Sequence, residues 1–188
     1  MLNKTYNWGP LVYTTKINNE ENKKLFSSIK KNTNNYTKEL ANTVKKEYPF
    51  DKSIFADTLN KYFAPFLTEY NSYYNEKESR VLSITHCWVN IMKKGEFVPM
   101  HDHESDFSSV VYLKVNTTKG HEQHFKEKFG GPGAITFKYG EKRKHNIDRI
   151  IFQPKKNDFI IFPSNLIHFV YPFTSNEERI CIVTNYVF

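Results

Sequence analysis

A chain of 188 residues and 22.3 kDa suits one domain, large enough to bury about two thirds of the surface that its unfolded form exposes. The net charge of +7 and pI near 9.2 raise nucleic acid as a partner, but the lysines are scattered (Lys23 and Lys24, Lys45 and Lys46, Lys142 and Lys144), so a solvated Lys-rich surface is expected and nucleic acid is not favoured. Cys87 and Cys181 are too few for a disulfide framework and suit buried thiols in a reducing compartment; neither a signal peptide nor a membrane span is legible, which excludes a membrane partner and points to the cytoplasm.

A candidate edge strand at Leu11 to Thr15 opens the chain. Asn18 with Glu21 three residues on resembles a capping box, followed by an apolar stripe of Leu25, Phe26 and Ile29. A second helix is expected over Thr37 to Glu47, where Leu40, Val44 and Tyr48 recur every four residues and Pro49 stops the run. Phe55, Leu59, Tyr62, Phe63, Phe66, Leu67 and Tyr70 share the face of a third helix, which Pro65 should kink or divide. These helices read as packing for a sheet: residues 1–78 form a helical buttress and residues 79–188 the core of the same domain.

From Arg80 the period turns strand-like, and no Gly, Ser or Pro linker marks a boundary. The run Arg80 to Met92 carries His86, Trp88 and Asn90 on one face, polar groups that suit a cavity wall better than an apolar core. Further strands are expected at Ser108 to Val115, Ala134 to Tyr139, Ile147 to Phe152, Asp158 to Phe162 and Arg179 to Val187. Helices first and strands after them, without the alternation that builds parallel sheets, predict antiparallel layers.

Between Met92 and Ser108 lies the segment that carries chemistry. His101 and His103 stand at i and i+2 of an extended stretch, so both imidazoles point to one side and can grip one metal ion. His168 follows another strand-like run, and Arg179 stands eleven residues beyond it. Imidazoles suit iron, zinc, copper and nickel alike, so residue type alone does not select the metal. Asp102 and Glu104 alternate to the opposite side, and Asp106 lies further off. His121 and His124, near Gly120, read as solvent-exposed, and neither they, His86 nor His145 share this arrangement.

The phrases WVN (88–90), HDH (101–103), SSVVYL (108–113), FPSNLIH (162–168) and RICIVTN (179–185), in that order and spacing, resemble the Fe(II)/2-oxoglutarate oxygenases related to prolyl 4-hydroxylases that occur in phages and bacteria. The resemblance implies a double-stranded β-helix, a jelly-roll or cupin-like core of mainly β (α+β) class, with the N-terminal helices packed on one sheet. It implies Fe(II) as metal, 2-oxoglutarate and dioxygen as co-substrates, and hydroxylation of a peptide or protein side chain or a small metabolite. For a phage protein the compartment would be the host cytoplasm. His101 becomes the first iron ligand, His168 the distal ligand and Arg179 the cation for the far carboxylate of 2-oxoglutarate. Tyr112, Asn90 and Asn185 become supplementary contacts to the co-substrate or substrate. One departure stands out: His103 occupies the place where most such oxygenases carry a carboxylate. A three-histidine site is therefore expected, with Asp102 or Asp106 as the alternative third ligand.

Two other readings stay open. Gly95, His101 and His103 also resemble the start of the cupin motif, and Pro163 to His168 its second half with Asn165 in place of Gly, although the acidic ligand of that motif is missing; a three-histidine cupin dioxygenase would have no need of Arg179. The other is a metal-stabilised binding module without catalysis, whose signature would be a fourth protein ligand. No fourth ligand is legible. For Arg179 the plain alternative is an exposed strand-end residue paired with Glu177 or Glu178.

Overall fold

The computed structural model describes residues 4–6, 9–30, 43–77, 81–115, 131–144 and 147–188. Strands β1 (Lys4–Tyr6), β2 (Val12–Lys16), β9 (Asp158–Pro163), β6 (Phe107–Lys114), β11 (Arg179–Val187), β4 (Ser83–Met92) and β3 (Glu47–Pro49) lie in that order in one sheet. A second sheet has the order β5 (Val98–His101), β10 (Ile167–Val170), β7 (Ile135–Lys138) and β8 (Arg149–Phe152). Every pairing is antiparallel. From β4 onward four strands fall in each sheet and the chain passes back and forth between them, which is a double-stranded β-helix.

The large sheet is buried on both faces, and its strands accordingly read as nearly continuous apolar runs. Val89, Ile91, Val111, Leu113, Phe159, Ile161, Ile180 and Ile182 face the helices. Their alternates Met92, Val110, Tyr112, Ile160, Phe162 and Cys181 face the small sheet, where Val98, Ile135, Phe137 and Val170 meet them. Both cysteines are buried free thiols.

Helix α1 (Asn19–Ser27) begins with the expected capping box: the Asn18 side chain accepts from the amides of Glu20 and Glu21, and Glu21 Oε2 accepts from the Asn18 amide at 2.9 Å. Asn22 then ties the helix to the sheet by donating to the carbonyl of Leu113 at 3.1 Å. The third expected helix is divided into α2 (Lys52–Leu59) and α3 (Phe63–Tyr74) by one 3₁₀ turn, Asn60–Tyr62. Pro65 thereby falls in the first turn of α3, where its missing N–H costs no hydrogen bond. Phe159 collects the rings of Phe55, Tyr62 and Phe63 at centroid distances of 6.4, 5.8 and 6.2 Å.

Some sequence expectations need correction. The described end of the helix expected over Thr37 to Glu47 is a bend followed by β3, because Glu47 to Pro49 pair with Trp88 to Asn90; pairing with an open sheet edge outweighs a weak four-residue period. Strand β2 is not an edge, since β1 pairs outside it. Phe26 does not join the buried stripe and is largely exposed. His121, His124 and His145 lie outside the described residues. No described helix is long and apolar enough to cross a membrane.

Phe159 is one of the sheet residues on which α2 and α3 pack. Phe159→Ala should lower unfolding free energy by about 3–5 kcal/mol, read as a reduced urea midpoint.

Candidate functional site

Strand β5 ends on His101, and β10 sets His168 directly opposite it in the ladder. His103 stands two residues past the end of β5, where its amide donates to the Ser164 carbonyl at 2.9 Å and its ring meets Trp88 edge-on at 5.9 Å. Ring centroids are 4.2 Å apart for His101 and His168, 4.8 Å for His101 and His103, and 5.2 Å for His103 and His168. One nitrogen from each ring lies within 4.8 Å of the other two, a group able to hold one metal ion.

The protons of two of the rings are set by the backbone. Nδ1 of His101 is 2.8 Å from the Pro99 carbonyl, and Nδ1 of His168 is 2.9 Å from that of Leu166. A carbonyl only accepts, so each Nδ1 carries the proton and each Nε2 keeps a lone pair. Nε2 of His103 is buried without a hydrogen-bond partner. Burial, followed by the neighbouring His101, pushes His168 down to about 3 and His103 to about 4, and burial lowers His101 as well. All three are therefore neutral at neutral pH, the form that metals bind. The expected alternation holds: Asp102 and Glu104 are exposed while His101 and His103 are half-buried. Asp106 is also exposed, and its Oδ2 accepts from the Phe188 amide at 2.8 Å.

Arg179 is no exposed strand-end residue. It is 2% exposed, and Glu178 instead lies 4.0 Å from Lys46 Nζ. Nη2 donates to the Tyr112 hydroxyl at 3.3 Å, Nη1 to Met92 Sδ at 3.0 Å and more distantly to Cys181 Sγ at 3.8 Å. The guanidinium lies 4.9 Å from the centre of the Tyr112 ring, and its Nε has no partner. Among the described residues no carboxylate pairs with it. Burial pushes the Tyr112 phenol well above its ordinary range, so it stays a neutral donor. Contacts with Tyr112 and Cys181 place the guanidinium two residues, about 7 Å, short of Val183, the strand partner of Trp88 beside His103. Cation and imidazoles thus occupy neighbouring levels of one interior.

Asn90 is buried on the same face; its Nδ2 donates to Glu47 Oε1 at 3.0 Å, and its Oδ1 has no partner. Asn185 stands six residues, roughly 20 Å, along β11 from Arg179. There it accepts from Ser108 Oγ at 2.9 Å; that hydroxyl also meets Ser164 Oγ at 2.7 Å, and Ser164 holds the His103 amide. Asn185 therefore supports the histidine end of the interior and does not reach the arginine. His86, expected on the cavity face, is exposed. Sequence reasoning missed Ser108, Ser164, Met92 and Glu47. For the serines the only signal is polarity inside an apolar strand and at its end; Glu47 was hidden by the helix expected there.

The fold is a double-stranded β-helix whose interior brings together three neutral imidazoles able to hold a metal ion and an arginine with no carboxylate partner among the described residues. Residues 86–185, just over half of the 188-residue chain, match the family model described as "Putative 2OG-Fe(II) oxygenase". The chain belongs to this 2OG-Fe(II) oxygenase family, and its cofactors are Fe(II) and 2-oxoglutarate. No curated protein matches it by sequence. Among solved structures it is similar to the viral collagen prolyl hydroxylase vCPH of Paramecium Bursaria Chlorella virus-1 (16% identity, TM-score 0.57, 93% of this chain and 94% of that one). It is also similar to a Pseudomonas putida prolyl-4-hydroxylase (13%, 0.58, 94% and 91%). A third is HygX of Streptomyces hygroscopicus, solved with nickel, 2-oxoglutarate and hygromycin B (12%, 0.62, 96% and 83%). At these identities the likeness is one of fold.

The residues present fit both groups: His103 Nε2 is an orphaned buried nitrogen, and Arg179 a buried cation that no carboxylate among the described residues pairs with. An uncompensated cation destabilises the ligand-free protein. Arg179→Met should raise its unfolding free energy by about 1–4 kcal/mol while removing the stabilisation that added 2-oxoglutarate gives the wild type, both read by chemical denaturation.

Proposed function

We propose that the chain is an Fe(II)/2-oxoglutarate-dependent hydroxylase acting on a peptide or protein side chain or a small metabolite. His101, His103 and His168 are its iron ligands. The observation that carries this reading is one interior with three neutral imidazoles at one level and the uncompensated Arg179 at the next. Bound Fe(II) supplies the oxidative chemistry: with dioxygen it couples decarboxylation of 2-oxoglutarate, to succinate and carbon dioxide, to hydroxylation of the substrate.

The protein's residues bind, orient and exclude water. Arg179 offers Nε and Nη hydrogens to the far carboxylate of 2-oxoglutarate, and charge-assisted bonds of this kind are short and strong in a dry site. The Tyr112 hydroxyl, which accepts from Arg179, keeps its own proton to donate to the same carboxylate. Asn90, its amide oriented by Glu47, lines the co-substrate pocket. The carbonyls of Pro99 and Leu166 hold two imidazoles in the ligating tautomer, and Asn185 with Ser108 and Ser164 steadies the loop of the third. A three-histidine cupin acting on a neutral ligand would leave Arg179 without work. Two buried free thiols suit a reducing compartment such as the cytoplasm.

His168→Ala should abolish stoichiometric iron binding in a protein that remains folded; full occupancy would overturn the ligand set. Arg179→Ala should weaken 2-oxoglutarate about ten- to a hundredfold with little change in iron affinity, measured by calorimetry under anaerobic conditions. His103→Asp should keep or raise iron affinity by placing an anion beside the metal, while Asp102→Asn and Asp106→Asn leave it unchanged. Loss of iron in either Asn variant would move the third ligand to that carboxylate.

A further inference from the structure

The loops at the histidine end of the barrel border an open groove of about 470 Å³, within the size range of ligand sites. Pro10, Tyr70 and Tyr74 form part of its lining, with Tyr139, Leu166 and Ile167 among its other residues. Its wall ends beside the candidate metal ligands: Ile167 precedes His168, and the Leu166 carbonyl holds His168 Nδ1. The groove is built by more than chance packing. Tyr73 donates to the Gly9 carbonyl at 2.5 Å, the Leu11 amide donates to the Tyr74 hydroxyl at 3.1 Å, and a Cβ on Gly9 would meet the Tyr139 ring at 2.8 Å. Apolar surface nevertheless stays open, with Tyr139 52% and Tyr74 40% exposed.

The hairpin that carries Tyr139 is cationic. Among its described residues Lys138, Lys142, Arg143, Lys144 and Arg149 are exposed, against two acids, Glu141 and Asp148, and Glu141 is already paired with Arg143. Lys138 itself lines the groove. The groove lining includes one carboxylate, Asp106, whose Oδ2 is held by the Phe188 amide at 2.8 Å; against it stands the cationic rim of the hairpin, so the cleft complements an acidic chain with bulky apolar anchors. Stacked bases fit less well. Single-stranded nucleic acid needs open ring faces, whereas Tyr70, Phe107 and Phe188 pack on one another at 5.2–5.8 Å and the cleft also has aliphatic lining from Leu166 and Ile167.

We propose that this groove docks an extended acidic peptide segment, its apolar side chains on Tyr139, Tyr74 and Ile167 and its carboxylates on Lys138 and the Lys142 to Lys144 turn. Docking needs neither metal nor co-substrate. That the docked chain presents its reactive side chain to the histidine end rests on the hydroxylase reading above.

The test is fluorescence anisotropy on the metal-free full chain, using a short labelled peptide that alternates Glu with Phe and Leu. Its controls are the same peptide with Lys for Glu, and a labelled oligothymidylate. The acidic peptide should bind more tightly than either control, and its affinity should fall with salt. Tyr139→Ala should weaken it about fivefold or more, and the exposed triple variant K142E/R143E/K144E, which leaves the packing untouched, about tenfold or more. His168→Ala should bind the peptide normally, so loss of the metal site and loss of docking are read separately. Tighter binding of the oligothymidylate would make the surface one for nucleic acid and overturn the proposal. Equal affinity for acidic and basic peptides, or none lost in the triple variant, would overturn it as well.

Discussion

A buried guanidinium that no carboxylate among the described residues pairs with is the constraint on which the rest of this molecule depends. Desolvating a charge costs several kcal/mol even after relaxation, and what compensates Arg179 within the protein is modest: one phenol, one thioether, a more distant thiol and the face of an aromatic ring. A structure that tolerates such a residue must be stabilised elsewhere. Here the support is a sheet buried on both faces, with aromatic residues of α2 and α3 packed edge-to-face on its outer side. The described helices support the site through that sheet: they make its outer face a core, and so allow its inner face to carry Arg179, Asn90 and Asn185 among apolar neighbours.

Topology converts this cost into a site. Because β5 and β10 are neighbours in the small sheet, His101 and His168 meet across one ladder although 67 residues separate them. Because β4 and β11 are neighbours in the large sheet, Trp88 lies opposite Val183, four residues along β11 from Arg179 and on the same interior face. His103 belongs to neither ladder. It is placed by a buried polar chain from Asn185 through Ser108 to Ser164, which joins β11 and β6 to the loop between β9 and β10. Fully satisfied buried networks of this kind specify one arrangement, since each broken link leaves a polar group without water.

Much of this was legible in the chain. Period-two alternation put His101 and His103 on one side and Asp102 on the other, and nearly continuous apolar runs marked the strands of the large sheet. Asn18 and Glu21 announced α1, and Pro65 the division of the third helix. What was not legible is what depends on register between distant strands. Asn185 and Arg179 lie on the same face of one strand, and sequence offers no way to tell that they serve opposite ends of it. The three-residue strand β3 is shorter than any period can reveal, and its partner edge on β4 exists only after the sheet has formed. Glu47 was lost with it: the expected helix ended there, whereas the strand buries its carboxyl group to 2% exposure.

Glu47 bears on the charge balance of the site. With His103 in place of the usual carboxylate, the proposed ligand set carries no charge; a divalent metal, a doubly ionised oxo acid and Arg179 then sum to one excess positive charge in a dry interior. Such an excess is costly unless an anion lies within reach. Glu47 is a buried carboxylate on the inner face of the large sheet, accepting from Asn90, and its field extends to Cys181 beside the arginine. Strand β3 therefore does more than lengthen the sheet. It carries the carboxyl group of Glu47, held by Asn90, onto the wall that also bears Arg179, in an interior whose three imidazoles are neutral.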